Sequence, residues 1–177
     1  MDIDLKIDPG EMSRLLRKGD ELALLAAMSS MNRVARRIRT RTVRGVSKET
    51  RVLQREIRRR VRVRTANRRR QYVTLIVYGR PVAAIRAGGA RPTLSGVHAA
   101  GRLFPQAFIA RNQRGLPQVY KREPGAKRLP IDPVKIDIFR TAERVAHTVI
   151  NRAAQQLWDV EFPRQLEWRL RKDAGFV

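Results

Sequence analysis

The sequence predicts an α+β fold: a small antiparallel or mixed β-sheet packed by a long N-terminal helix and a long C-terminal helix kinked at Pro163. Three observations carry this. Apolar residues recur at helical spacing from Leu24 to Thr42 and again from Phe139 to Leu157. Between them lies "YVTLIVY", Tyr72 to Tyr78, a β-branched and aromatic run. Around that run the apolar segments are short and separated by glycine and proline turns. With 177 residues, 42% of them apolar, the chain suits one domain with one core. Its parts are a basic helical region at 20–64, a β-rich region at 72–131 and a C-terminal helix at 137–172.

Taken in order, Ile3, Leu5 and Ile7 alternate with charged residues and predict a short strand. Asp8-Pro9-Gly10-Glu11 reads as a helix start, with Gly19 ending that helix after Lys18. Asp20 is placed to cap the long helix, whose stripe is Leu24, Met28, Met31, Ala35, Ile38 and Thr42. Arg33, Arg37, Arg41 and Arg44 recur on another face, with Arg36 and Arg39 beside them, and Gly45 is expected to end the helix. Ser47 then caps a third helix that turns Val52, Leu53, Ile57 and Val61 inward and leaves Arg51, Arg55, Arg58 and Arg59 wet.

Val61 to Arg64 alternates like a strand, and Thr65-Ala66-Asn67 reads as a turn into the strand at Tyr72 to Tyr78. After Gly79-Arg80-Pro81, Val82 to Ile85 resumes the sheet. Residues 86–102, "RAGGARPTLSGVHAAGR", read as a loop with at most a weak strand near Val97, and as a candidate assembly arm. "FPQAFIA" (104–110) and Gln118 to Tyr120 are strands about an Asn112–Gly115 turn, followed by a turn at Glu123-Pro124-Gly125 and an extended Leu129-Pro130-Ile131. Asp137 caps the last helix, which buries Phe139, Ala142, Ala146, Val149, Ala153 and Leu157. Pro163 is expected to kink or break it, with Leu166 and Leu170 continuing the apolar spacing beyond.

The formal net charge is +23, and residues 33–70 alone hold 17 basic side chains against Glu49 and Glu56. Such a field favours an acidic or polyanionic partner. The candidate contact residues are Arg33, Arg37, Arg41, Arg44, Arg55, Arg58, Arg59, Arg60, Arg62, Arg68, Arg69 and Arg70. They can grip phosphates, meet acidic protein surfaces, or be a solvated face whose long side chains cover apolar surface. No zinc finger, RNP motif or GXXG clamp accompanies them.

Catalytic constellations are missing from the sequence. There is no cysteine, hence no disulfide or thiolate chemistry. His98 and His147 have no partner at ligand spacing, and Asp159 and Glu161, two apart on a helix, point differently. "RAGGAR" (86–91) lacks the lysine and hydroxyl of a phosphate loop. No catalytic, metal or cofactor site is expected. No apolar run approaches the roughly 20 residues of a membrane span, and Met1-Asp2-Ile3-Asp4 is unlike a signal peptide, so synthesis in the cytoplasm is expected.

The order of several motifs is distinctive: "MNRVARRIRTRTVRGVSKET" (31–50), "VLQREIRRRVRVR" (52–64), "VYGRPVAAI" (77–85), "FPQAFIARNQRG" (104–115) and "KRLPID" (127–132). In this order they resemble the prophage minor tail protein Z family, the tail-completion proteins of long-tailed phages. The resemblance covers nearly the whole chain. It implies a non-catalytic virion protein at the head–tail junction, without cofactor, made in the host cytoplasm. It further implies a homo-oligomeric ring, often a hexamer, with the tail terminator, tail tube and head-completion or connector proteins as neighbours. Contact of the basic ridge with genomic DNA, or a free nucleic-acid-binding protein using Arg33–Arg70, is the alternative.

Overall fold

The computed structural model describes residues 2–7, 21–125 and 128–173. The helix expected at residues 9–18 and the cap at Asp20 lie outside them. The described chain is α+β: two long helices, two short ones, and small sheets whose resolved registers are all antiparallel. It divides into two compact units. Unit 1 is residues 1–42, 61–77 and 143–177, and unit 2 is residues 43–60 and 78–142.

Unit 1 combines most of two long helices, α1 (Glu21–Thr50) and α4 (Phe139–Asp173), with a three-stranded sheet. Its strands are β1 (Asp2–Ile7), β2 (Val61–Arg64) and β3 (Val73–Tyr78), in the order β1-β3-β2. The expected stripe on α1 is the inward one: Met28, Met31, Ala35, Ile38 and Thr42 are buried and Leu24 is part-buried. Met28, Met31 and Ala35 pack with Ala66 and Val73, and Leu24, Val63 and Trp158 close the cluster. The β2–β3 link is held by side chains. Asn67 Oδ1 accepts from the Arg69 and Arg70 amides at 3.1 and 2.8 Å, and Asn32 brackets Ala66, donating to its carbonyl and accepting from its amide.

Helix α1 does not stop at Gly45. It runs on to Thr50, because Val43 and Val46 on either side of the glycine are fully buried, and that burial outweighs a helix penalty of about 1 kcal/mol. Ser47 is not a cap for a third helix. Its hydroxyl donates to Val52 O at 2.7 Å and fastens the chain reversal, which is made by Arg51 at φ 57°. The next helix, α2, is only Gln54–Arg58, and Leu53 ahead of it is exposed rather than inward.

Unit 2 is β-rich. β4 (Val82–Ala83) pairs with β11 (Lys135–Ile136) instead of rejoining the sheet of β3, and the chain then coils into a short helix α3 (Ala84–Ala87). Residues 86–102 are not a loop. β5 (Arg91–Thr93), β6 (Gly96–Ala99) and β7 (Arg102–Pro105) form an antiparallel meander, and Val97 and Ala99 of β6 are fully buried. Its many small residues hid the alternation, since alanine and glycine carry little hydrophobic signal even when buried. "FPQAFIA" is likewise divided. Gln106 at φ 59° separates β7 from β8 (Ala107–Arg111). β8 pairs with β9 (Pro117–Arg122), and β9 with β10 (Ile131–Pro133). The turn between β8 and β9 is built by Asn112, whose Oδ1 accepts from the Arg114 and Leu116 amides. Ala84, Val97, Ala99, Ala107 and Val119 are the core of this unit.

Helix α4 starts where expected, with Asp137 Oδ1 accepting from the Phe139 amide at 2.8 Å. Asp137→Ala is expected to cost about 1 kcal/mol, read as a lower urea midpoint at unchanged m-value. The helix is continuous through Pro163. Beyond Leu157 its buried positions are Glu161 and Gln165, while Leu170 is about half exposed, so the apolar spacing does not continue through Leu166 and Leu170 as expected.

Candidate partner-binding surface

The twelve predicted arginines fall into both units. Arg33, Arg37, Arg41, Arg62, Arg68, Arg69 and Arg70 belong to unit 1, and Arg44, Arg55, Arg58, Arg59 and Arg60 to unit 2. Helical spacing places Arg33, Arg37 and Arg41 along one exposed side of α1, four residues apart, while Val34, Ala35 and Ile38 between them are buried. Arg62 is exposed on β2, where the strand alternation turns Val61 inward.

Several of these arginines have internal roles. Arg37 Nη2 is 2.6 Å from Oε1 of Glu161, a carboxylate with no solvent exposure. Arg68 pairs with Glu21 at 2.7 Å in full exposure, which contributes little. Arg70 donates to Thr65 O and lies over the Tyr72 ring, 5.7 Å from its centroid. Arg60 is the most enclosed of the set. Its guanidinium donates to Glu56 O at 2.7 Å, Arg80 O at 2.8 Å and Pro81 O at 3.0 Å, and faces the buried Glu56 carboxylate at 3.4 Å. Arg59 takes the other Glu56 oxygen at 3.2 Å. Arg60 therefore braces the β-rich unit.

Arg33, Arg41, Arg44, Arg55 and Arg69 are exposed, and among the described residues their guanidinium groups have no hydrogen bond or ion pair. Two acids are already engaged: Glu56 and Glu161 are buried against Arg59, Arg60 and Arg37. The exposed guanidiniums thus present donors without a hydrogen bond or ion pair among the described residues.

Sequence reasoning missed Glu161 as a structural centre. It noted the residue only as a poor catalytic pair for Asp159. The signal was present in the helical register: Leu157, Glu161 and Gln165 continue the buried line of α4 by steps of four. Serine supports it, since Ser30 Oγ lies within hydrogen-bonding distance of both Ala26 O at 2.8 Å and Glu161 O at 3.2 Å.

Among the described residues no three or more histidine, cysteine, aspartate or glutamate side chains gather as a metal site. Nor, among them, is any helix long and apolar enough to cross a membrane. No curated protein and no solved structure matches the chain. The model of one family, prophage minor tail protein Z, matches residues 14–174, which takes in both long helices and every sheet but the first strand. The chain, a basic α+β protein, belongs to the prophage minor tail protein Z family.

Proposed function

We propose that this phage tail protein completes the tail at the head–tail junction, acting by ring assembly and protein contacts rather than by catalysis. The whole chain serves as one tail-completion module. The carrying observation is the set of exposed arginines, Arg33, Arg41, Arg44 and Arg55, whose guanidinium groups have no hydrogen bond or ion pair among the described residues. A net charge of +23 favours acidic surfaces as partners, and neighbouring copies, the tail terminator, the tube and the connector are where they would be met.

The test is a reconstruction of intact particles by electron microscopy together with a charge-reversal variant. Density for this chain is expected as a closed ring at the head-proximal end of the tail. Changing Arg33, Arg41, Arg44 and Arg55 to Glu should lower incorporation into particles at least tenfold while leaving the circular-dichroism spectrum unchanged. Density at the distal tip, or full incorporation of the variant, would refute the proposal. The alternative, a free nucleic-acid-binding protein, predicts affinity for DNA that falls steeply and linearly in a log–log plot against salt, with the slope reduced in the same variant.

A further inference from the structure

The "RAGGAR" segment, which the assembly reading leaves unused, lines a concavity in unit 2 with a volume of about 350 Å³. Its wall is Gly88, Gly89, Ala90, Arg91, His98 and Gly101. Three of the six have no side chain, so backbone faces the opening there. Only basic or neutral groups line it.

Three strands of evidence make this a constructed feature. The segments that form it are tied by backbone hydrogen bonds, Ala100 N to Gly88 O and Leu53 N to Ala87 O, both at 2.8 Å, and by the Arg91–His98 pairing of β5 with β6. The left-handed conformation recurs in its wall at Gly89 (φ 60°) and Gly101 (φ 69°), and in residues bonded to or packed against that wall, Ala100 (φ 49°) and Arg51 (φ 57°). Such conformations are unfavourable at non-glycine residues and persist where the surroundings impose them. Finally, Arg51 lies directly across Gly101: a Cβ there would sit 2.5 Å from Arg51 Cδ and 2.8 Å from its Nη1. Among the described residues neither Arg51 nor Arg91 has a side-chain hydrogen bond or ion pair.

We propose that this concavity is a carboxylate-binding site that receives an acidic side chain from a partner protein segment. Arg91 in the wall supplies a charged donor, with His98 beside it, the Arg51 guanidinium packed against Gly101 of the same wall, and the glycines allowing close approach. A guanidinium fork matches a carboxylate. The volume suits one protruding side chain, near the lower limit of ligand pockets, whereas a DNA duplex offers a convex row of phosphates too broad to enter it. The assignment is independent of where in the tail the chain resides.

The full-length chain, labelled with ¹⁵N, would be titrated at physiological salt with a blocked tetraglutamate peptide, and separately with inorganic phosphate and a short DNA duplex. The peptide is expected to give saturable shifts centred on the Gly88, Gly89 and Gly101 amides. Its affinity should fall about tenfold or more in Arg91→Gln and Arg51→Gln and stay unchanged in Arg114→Gln, which lies in the β8–β9 turn. Arg91 is exposed at a strand end, so that variant keeps the test alive if Arg51→Gln does not fold. Shifts spread over the whole basic surface, or equal in Arg91→Gln, would overturn the site. Tighter binding of phosphate or duplex at these same amides would overturn the carboxylate assignment.

Discussion

Gly96→Ala is expected to unfold much of the β-rich unit. Gly96 opens β6 at φ 149°, buried, where it faces Phe104 and Pro105 across the strand pair. A Cβ at that position would stand 2.1 Å from Phe104 O and 3.0 Å from Gln106 N. Both obstacles are backbone, so no side-chain rotation relieves them. The strand pair must open or Gly96 must leave its conformation, and either outcome uncovers Val97, which is fully buried two residues from the Ser95 carbonyl that holds Gln106. Overpacking costs about 1–3 kcal/mol where side chains can move, and alanine at a positive φ adds to it. A loss of about 4 kcal/mol is expected, visible as a lower urea midpoint and as faster hydrogen exchange at Val97 and Ala99. The matching change at Gly115, also at positive φ but with open space where a Cβ would go, should cost only about 1 kcal/mol. Equal losses at the two glycines would show that backbone conformation alone, and not the contact with Phe104, sets the effect.

The second large effect is an asymmetry at the buried ion pair. Arg37→Ala should destabilise the chain by about 3 kcal/mol, because it leaves the Glu161 carboxylate buried without its cation. The estimate sits at the low end for such deletions since the Arg37 side chain is 49% exposed and water can partly replace it. Glu161→Met should be close to neutral, or stabilising by about 1 kcal/mol. It removes a charge that has no exposure and whose Oε2 has no hydrogen-bond partner among the described residues, and frees Arg37 to enter solvent. The double variant should resemble Glu161→Met alone. Urea unfolding of the three proteins measures this directly. If Arg37→Ala were neutral while Glu161→Met were costly, the carboxylate would have another stabilising role.

The same pair bears on how Pro163 is accommodated. Proline removes one amide donor and crowds the preceding turn, and a break near this position follows from local chemistry. The helix instead continues, and Glu161, two residues upstream, is gripped at its side chain by Arg37 and approached at its carbonyl by Ser30. Contacts between residues more than a hundred positions apart override a local signal.

Much of the architecture was legible. Periodicity of 3.6 gave both long helices, β-branched composition gave β3, and asparagine at turn positions gave the β8–β9 link, since each rests on forces between near neighbours in the chain. The misreadings share a cause. At Gly45 and Pro163 intrinsic propensity opposed burial and burial prevailed, because helix penalties of a few kcal/mol are smaller than the summed transfer of several apolar side chains. In residues 86–102 small residues form true strands whose stabilisation comes from neighbouring strands and not from their own side chains.

The basic surface divides in the same way. Its charge and its arginine content were determined by the amino-acid sequence alone, because net charge and residue type do not depend on folding. Which arginines are spent inside the molecule was decided by tertiary structure. Arg60 and Arg37 are drawn into bracing buried carboxylates, while Arg33, Arg41, Arg44 and Arg55 have no hydrogen bond or ion pair among the described residues. The physical reason is that pairing depends on where Glu56 and Glu161 come to rest. Burial strengthens an ion pair that solvent would screen, and burial is a property of the folded chain.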